Sequence, residues 1–299
     1  MQNLCRLFSF LGQLVYSLFR GETMIQDIEP HQLINPYDHD YEHDVRDDDV
    51  IFIFDNKRVL VKEHTDHLVF PVKRELKEKH DYIFLFKIDD IRCYLIRDNE
   101  EIEGYVFKDV WSLRTDDKHS ASFLYALVTA YQLANWYDNN QYCGRCGDKM
   151  IRVKEERALS CPSCGHRVYP RIVPAVIVGI IDGDRICITQ YAQGYGHNAL
   201  VAGFVEIGET IEQTVEREVM EEVGLKVKNI RYYKSQPWGF VDDLLLGFYC
   251  DVDGDNTIHM DRNELKIAHF VRREDIVLQP DHLSLTNEMM QRFKEGKTC

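Results

Sequence analysis

No stretch of the chain approaches the run of about eighteen apolar residues that a helix needs to cross a bilayer, so no membrane association is expected. Positive charge is also in short supply. The formal net charge is −14, which argues against a protein that grips nucleic acid by neutralising phosphates over a broad basic face. A polyanionic substrate is still allowed, because bound metal can invert the local charge. No internal repeat is visible. The apolar opening "MQNLCRLFSFLGQLVYSLFRGETM" lacks a small-x-small cleavage site. Two readings of it stay open: a signal peptide, or a start assigned upstream of a native chain beginning at Met24. Of nine cysteines, Cys5, Cys93, Cys187, Cys250 and Cys299 lack any pairing pattern. They read as small buried residues, or as part of a frayed tail for the last. The cysteine usage suits a reducing cytoplasm better than a disulfide framework.

What is present is ordinary for a globular protein: 44% hydrophobic and 29% charged residues in 299, enough for two domains. Residues 1–45 read as an N-terminal extension, disordered in part. The acidic, His-containing run "DHDYEHDVRDDD" at 38–49 reads as a solvated tail in preference to a metal site. From 46 to 117 the pattern is β-like. "VIFIFDNKRVLV" alternates around an Asp-Asn turn and "YIFLFKIDDIRCYLI" around Asp89-Asp90, which predicts a small, mostly antiparallel domain. A connecting helix is expected over 118–140, a cysteine module over 141–169, and a larger domain over 170–299. In that last domain several strands and two helices predict an α/β/α sandwich with a mixed sheet, making the whole chain α+β.

Four cysteines do have a pattern. Cys143-x2-Cys146 is followed by Cys161-x2-Cys164, each pair beside glycine. Such knuckles turn backbone amides toward sulfur while four thiolates close a tetrahedron, so one structural zinc is expected. A closed four-thiolate site leaves no position for substrate. Its role is folding, where zinc binding supplies about 10 kcal/mol or more. The rival reading is a nucleic-acid-binding ribbon: Arg145, Lys149, Arg152 and Lys154 lie nearby, but interleaved aromatics are sparse.

The stretch "GFVEIGETIEQTVEREVMEEVGL", 203–225, crowds seven glutamates together. Thr210 with Gln213 forms a capping-box signal, Gly224 a C-terminal stop, and Ile211, Val215, Val219 and Val223 an apolar stripe. Glu218 and Glu222 fall at the edge of that stripe. Exposed like charges at i,i+4 cost only about 0.2–0.5 kcal/mol, whereas partly desolvated ones repel by far more. Carboxylates so placed stay ionised together only around a cation, and a hard ion such as Mg²⁺ or Mn²⁺ fits.

These residues match, position for position, the Nudix box G-x5-E-x7-R-E-U-x-E-E-x-G-U, with U aliphatic: Gly203, Glu209, Arg217, Glu218, Val219, Glu221, Glu222, Gly224 and Leu225. The chain is identified as resembling the Nudix hydrolases. The resemblance implies hydrolysis of a nucleoside diphosphate linked to another moiety, with metal held by the R-E-x-x-E-E glutamates. Arg217 is then the arginine that orients a glutamate, expected to be Glu209.

Further on, "SQPWGF" at 235–240, with the cysteine module running into Tyr169-Pro170, resembles the NADH pyrophosphatase branch and its mark S-Q-P-W-P-F-P-x-S. Gly239 and Val241 stand where that mark has prolines, and Asp243 replaces its last serine, which loosens a rigid turn. The resemblance implies two or three Mg²⁺ or Mn²⁺ ions on Glu218, Glu222, Glu264 and the Ala202 carbonyl, with Glu221 or Glu222 helping to activate water. It implies Tyr169 and Phe204 stacking on nicotinamide, and a substrate loop of Gln236, Pro237, Trp238, Gly239, Phe240, Val241, Asp242 and Asp243. Arg114 and Thr286 are weaker substrate matches. NADH or NAD⁺ is the implied substrate, NAD-capped RNA a further one, and a homodimer the implied assembly. The competing readings are hydrolysis of ADP-ribose or dinucleoside polyphosphates, and a non-catalytic RNA-binding regulator.

Overall fold

The computed structural model describes residues 24–37, 39–77, 79–98, 100–116, 119–194 and 196–297. The readings made for the start of the chain, Cys5 and Cys299 lie outside them. The chain divides into two compact units, Ile25–Arg171 with Gly239–Val241, and Ile172–Trp238 with Asp242–Cys299.

The first unit opens with β1 (Leu33–Ile34), β2 (Val50–Asp55), β3 (Arg58–Glu63), β4 (Leu68–Val69), β5 (Ile83–Ile88), β6 (Ile91–Ile96) and β7 (Val106–Asp109). They form one sheet in the order β1-β5-β6-β2-β3-β4, with β7 beside β3. Only β2 and β6 run parallel. The β2–β3 and β5–β6 turns place Asn56 and Asp89 at φ of 54° and 52°, left-handed positions that Asn and Asp tolerate. Alternation carries Ile51, Ile53, Phe84, Tyr94 and Ile96 into one core.

At 38–49 the structure departs in part from a solvated tail: Glu42 and Asp49 are buried, while Asp40, Asp44, Asp47 and Asp48 stay exposed. Ile25 and Ile28, ahead of this segment in the same unit, are buried too. Tyr41 packs edge-on to Phe84 at 4.9 Å and accepts the Tyr94 hydroxyl on its carbonyl at 3.0 Å. Arg92 reaches the Asp44 carbonyl at 2.8 Å. One tyrosine and one arginine suffice to draw an acidic segment onto the sheet.

Helix α1 (Ala121–Asn139) starts where the Ser120 hydroxyl accepts the Phe123 N–H at 3.1 Å. Buried residues run round most of its circumference, so it is a core helix of this unit. The cysteine module follows as a three-stranded sheet of β8 (Ile151–Arg152), β9 (Leu159–Ser160) and β10 (Arg167–Val168), in the order β10-β9-β8. Two arginines bind one side of it to the β-domain. Arg152 makes a bidentate pair with Asp81 at 2.7 and 2.8 Å, and Arg157 donates to Asn35 Oδ1 at 3.0 Å and to the Leu85 carbonyl.

The second unit holds β11 (Val173–Asp182), β12 (Arg185–Tyr191), β13 (Val201–Phe204), α2 (Ile211–Val223), β14 (Val227–Trp238), β15 (Asp243–Val252), β16 (Leu265–Arg272) and α3 (Leu285–Lys294). Its mixed sheet runs β14-β15-β11-β12-β16, with β13 beside β11 and β15 parallel to β11. Strand parity separates the faces. Leu246, Phe248 and Cys250 join Val176, Val178 and Ile180 under the valines of α2. Gly247 and Tyr249 turn the other way, where the Tyr249 hydroxyl donates to the Met289 carbonyl of α3 at 2.7 Å. The expected α/β/α sandwich is what the sheet and its two helices form.

Candidate active site

Helix α2 is built as its sequence dictates. The Thr210 hydroxyl accepts the Gln213 N–H at 3.2 Å, and the Gln213 side chain returns to the Thr210 N–H at 2.8 Å. Gly224 ends the helix at φ 69°. Val215, Val219 and Val223 are wholly buried, which fixes the helix's rotation and leaves Glu218 and Glu222 at the rim of the core. Glu218 is 9% exposed and Glu222 only 2%. Glu221 points outward, its side chain 62% exposed.

Strand β13 runs beside this pair. Its Ala202 N–H donates to Glu222 Oε1 at 3.3 Å, while Glu222 Oε2 is buried with no hydrogen-bond partner among the described residues. Gly203 faces Glu218 so closely that a Cβ there would overlap all three atoms of its carboxylate. Glu264, exposed in the turn just before β16, lies near enough for its charge to act on both. Burial, reinforced by Glu218 and Glu264, pushes the Glu222 carboxyl up to about 8 against the pull of the Ala202 amide. Burial raises Glu218 as well, against the attraction of Arg217.

Arg217 ties the loop, the strand and the helix together. Its Nε and Nη2 donate to the two oxygens of Glu209 at 2.7 and 3.0 Å, and Nη2 also reaches the Phe204 carbonyl at 2.9 Å. Its Nη1 donates to Glu218 at 2.8 Å and Glu221 at 3.0 Å. These hydrogen bonds hold Glu209 down at about 2. Thr214, which sequence reasoning passed over, adds its hydroxyl to Glu209 at 2.9 Å. Tyr191 was missed too: it is a half-buried tyrosine whose hydroxyl feels Glu222, Glu264 and Glu218.

The donor set fits a hard cation. Glu222 is a buried carboxylate with one oxygen unpartnered, flanked by two more carboxylates, which is costly unless positive charge is supplied. The glutamates are not drawn tightly together, and Arg217 supplies the positive charge on Glu218. Among the described residues, the four cysteines are the one group of three or more His, Cys, Asp or Glu whose ligand atoms all lie within 4.8 Å of one another. Sulfur separations are 3.6 Å for Cys143–Cys164, 3.4 Å for Cys146–Cys161 and 3.6 Å for Cys146–Cys164. Zinc–sulfur bonds of about 2.3 Å require tetrahedron edges of about 3.8 Å, so the cluster fits zinc. The Arg145 N–H, 3.4 Å from Cys143 Sγ, is the amide donor that a thiolate there needs.

The remaining residues named from the sequence are placed as follows. Tyr169, in the first unit, and Phe204, in the second, are each 53% exposed. Arg114 is half-buried on a 3-10 turn over Ser112–Thr115, and Thr286 is half-buried in the first turn of α3. Pro237, Val241 and Asp242 reach solvent in part, whereas Trp238 and Asp243 are buried. Gly239 lies flat on α1, where a Cβ would come within 2.5 Å of the Val128 carbonyl, and Phe240 stacks on Trp111 at 4.7 Å. A proline like that of the related mark would not fit at Gly239. Gln236 is fully buried with both ends of its amide engaged, donating to the Leu283 carbonyl at 2.8 Å and accepting the Leu285 N–H at 2.7 Å. It is a strut that holds the start of α3.

Comparison with known proteins places the chain in a family. Residues 170–293 match the NUDIX domain and residues 138–169 the NADH pyrophosphatase zinc ribbon domain. The NAD-capped RNA hydrolase NudC of Klebsiella pneumoniae is 40% identical over 185 residues, which span 58% of this chain and 72% of that protein. Its namesake from Escherichia coli is 45% identical over 150 residues, 50% of this chain and 58% of that one. A solved Nudix hydrolase from Nitrosomonas europaea is 20% identical, with a TM-score of 0.43 over 52% of this chain and 91% of that one, too slight a likeness to bear on function. With its glutamate helix, its four-cysteine ribbon and these relatives, the chain belongs to the Nudix hydrolases, in the branch that carries the NADH pyrophosphatase zinc ribbon.

Proposed function

We propose that the protein hydrolyses the diphosphate bond of NADH or NAD⁺ to nicotinamide mononucleotide and AMP, and that it removes the same group from NAD-capped RNA. The observation that carries the reading is Glu222. It is a carboxylate buried in the second unit with a free oxygen, beside Ala202 and Glu218, on the helix that bears the Nudix box. The NudC relatives, named as NAD-capped RNA hydrolases, support the choice of substrate.

In this reading Ala202, Glu218, Glu222 and Glu264 hold two or three Mg²⁺ or Mn²⁺ ions, which supply charge neutralisation of the diphosphate and a lower pKa for the attacking water. Arg217, anchored on Glu209 and the Phe204 carbonyl, keeps α2 and β13 in register. Glu221 or Glu222 takes the proton from water. Tyr169 and Phe204 offer exposed aromatic faces for nicotinamide, and the segment from Pro237 to Asp243, with Arg114 and Thr286, contacts the rest of the substrate. The ribbon holds one zinc. The assembly is a homodimer, and the unpaired thiols suit a cytoplasmic setting.

The test is product analysis after incubation with NADH and Mg²⁺ or Mn²⁺, with kcat/KM compared across NADH, ADP-ribose and dinucleoside polyphosphates. Release of AMP and reduced nicotinamide mononucleotide, with NADH preferred, is expected. Intact NADH, or a clear preference for ADP-ribose, overturns the reading.

A further inference from the structure

The two sides of the ribbon sheet have different fates. Met150 and Leu159 are buried, and Arg152, paired with Leu159, and Arg157 bind that side to the β-domain. The other side is open. Register puts Ile151, Ser160 and Arg167 in one row across β8, β9 and β10. Lys149 lies two residues before Ile151 and Tyr169 two after Arg167, so alternation turns both to the same side. An isolated bridge places Tyr142 beside Lys149. Tyr142 is 66% exposed and Ile151 55%, and Lys149 and Arg167 are exposed with them. The row therefore interleaves two tyrosine rings and an isoleucine with two cations, where the sequence alone suggested too few aromatics.

We infer that this face binds the single-stranded RNA chain that trails from an NAD-capped 5′ end. The inference rests on the reading under Proposed function, because Tyr169, offered there to the substrate, closes one end of the row. Exposed aromatic rings are platforms on which bases of any sequence stack, and interspersed cations take the phosphates. Residues 138–169 hold six Lys and Arg against four Asp and Glu, in a chain whose net charge is −14. Lys149 and Arg145 make no ion pair among the described residues, whereas Arg167 shares Glu156 with Tyr169 at 2.5 and 3.2 Å. Four thiolates around a zinc add about two negative charges nearby. Stacking therefore outweighs charge here, and the salt dependence is shallow. One isoleucine and two rings offer little of the apolar core that a stable protein interface buries, which favours RNA over a second copy of the chain.

The experiment uses the full chain with Tyr142→Ala and Lys149→Glu, alone and combined, with Lys149→Arg as the conservative control. Probes are NADH and a 3′-labelled, NAD-capped single-stranded RNA. The combined variant should lower kcat/KM for capped RNA about tenfold, through KM. It should also reduce the slope of log K against log salt by about 0.7. NADH turnover, zinc content and the Lys149→Arg protein should stay unchanged. Unchanged kinetics on both substrates, or an equal fall on both, overturns the inference. So does a variant whose only change is a smaller mass by light scattering, since a second copy would then own the face. If the wild-type chain cleaves neither substrate, the proposed function fails. Binding of 5′-monophosphate RNA then decides the face by itself: a weaker variant supports it and an equal one overturns it.

Discussion

Gly203→Ala is the most informative single substitution. The backbone at Gly203 is ordinary extended strand, so alanine brings no conformational penalty of its own. What it brings is a methyl group in the space of the Glu218 carboxylate. Ordinary van der Waals separation begins at 3.4 Å, so the carboxylate must retreat by more than 1 Å. Its retreat is hindered by the Arg217 hydrogen bond and by its own burial, at 9% exposure. A misplacement of about 1 Å in a reacting constellation costs on the order of a hundredfold in rate. We therefore expect kcat on NADH to fall about a hundredfold, with zinc content unchanged and the melting temperature lowered by only a few degrees. The assay is steady-state release of AMP under saturating Mg²⁺, beside thermal unfolding. Gly196→Ala, where an added Cβ meets nothing within 4 Å, is the control and should be silent. Activity within threefold of wild type for Gly203→Ala would refute the assignment of Glu218 to the site.

Glu222→Gln should abolish turnover by several orders of magnitude while the fold and zinc persist, checked by activity and metal analysis. Burial lifts Glu222 from its ordinary value of 4.5 to about 8, so the folded chain binds a proton there that the unfolded chain has released. Without added Mg²⁺ or Mn²⁺, stability should fall as pH rises from 4.5 through 8, a trend absent from Glu222→Gln and reversed by the cation. Arg217→Gln should release Glu209 from about 2 toward its usual range. The stability that Glu209 contributes above pH 4.5, lost in the wild type as pH falls toward 2, should vanish in acid melting curves of the variant. Cys161→Ser should lose zinc and open residues 141–169 to protease, since zinc binding contributes about 10 kcal/mol or more. Arg157→Ala strips a half-buried cation from the Asn35 side chain and the Leu85 carbonyl, and should cost about 1.5–3 kcal/mol in chemical denaturation.

Local signals were faithful where the chemistry is local. The caps and valine stripe of α2, the turns at Asn56 and Asp89, and the cysteine spacing all depend on neighbours within a few positions, and each was readable in the letters. Contacts made across long separations were not. Nothing near position 204 announces that its carbonyl receives Arg217, and nothing near Gln236 announces that its amide is spent on residues 283 and 285. Composition misled at 38–49, where a run of acids hid a tyrosine that packs on the sheet. It misled again in the ribbon, where Tyr142 and Tyr169 lie twenty-seven positions apart and only strand register sets them on one face.

Crystals soaked in Mn²⁺ and read by anomalous scattering bear most directly on whether α2 is a cation-binding helix. Peaks are expected about 2.0–2.3 Å from carboxylate oxygens of Glu218 and Glu222, with Arg217 withdrawn from Glu218 but still on Glu209. A map with no peak at these side chains, and Arg217 unmoved between Glu218 and Glu221, would contradict it.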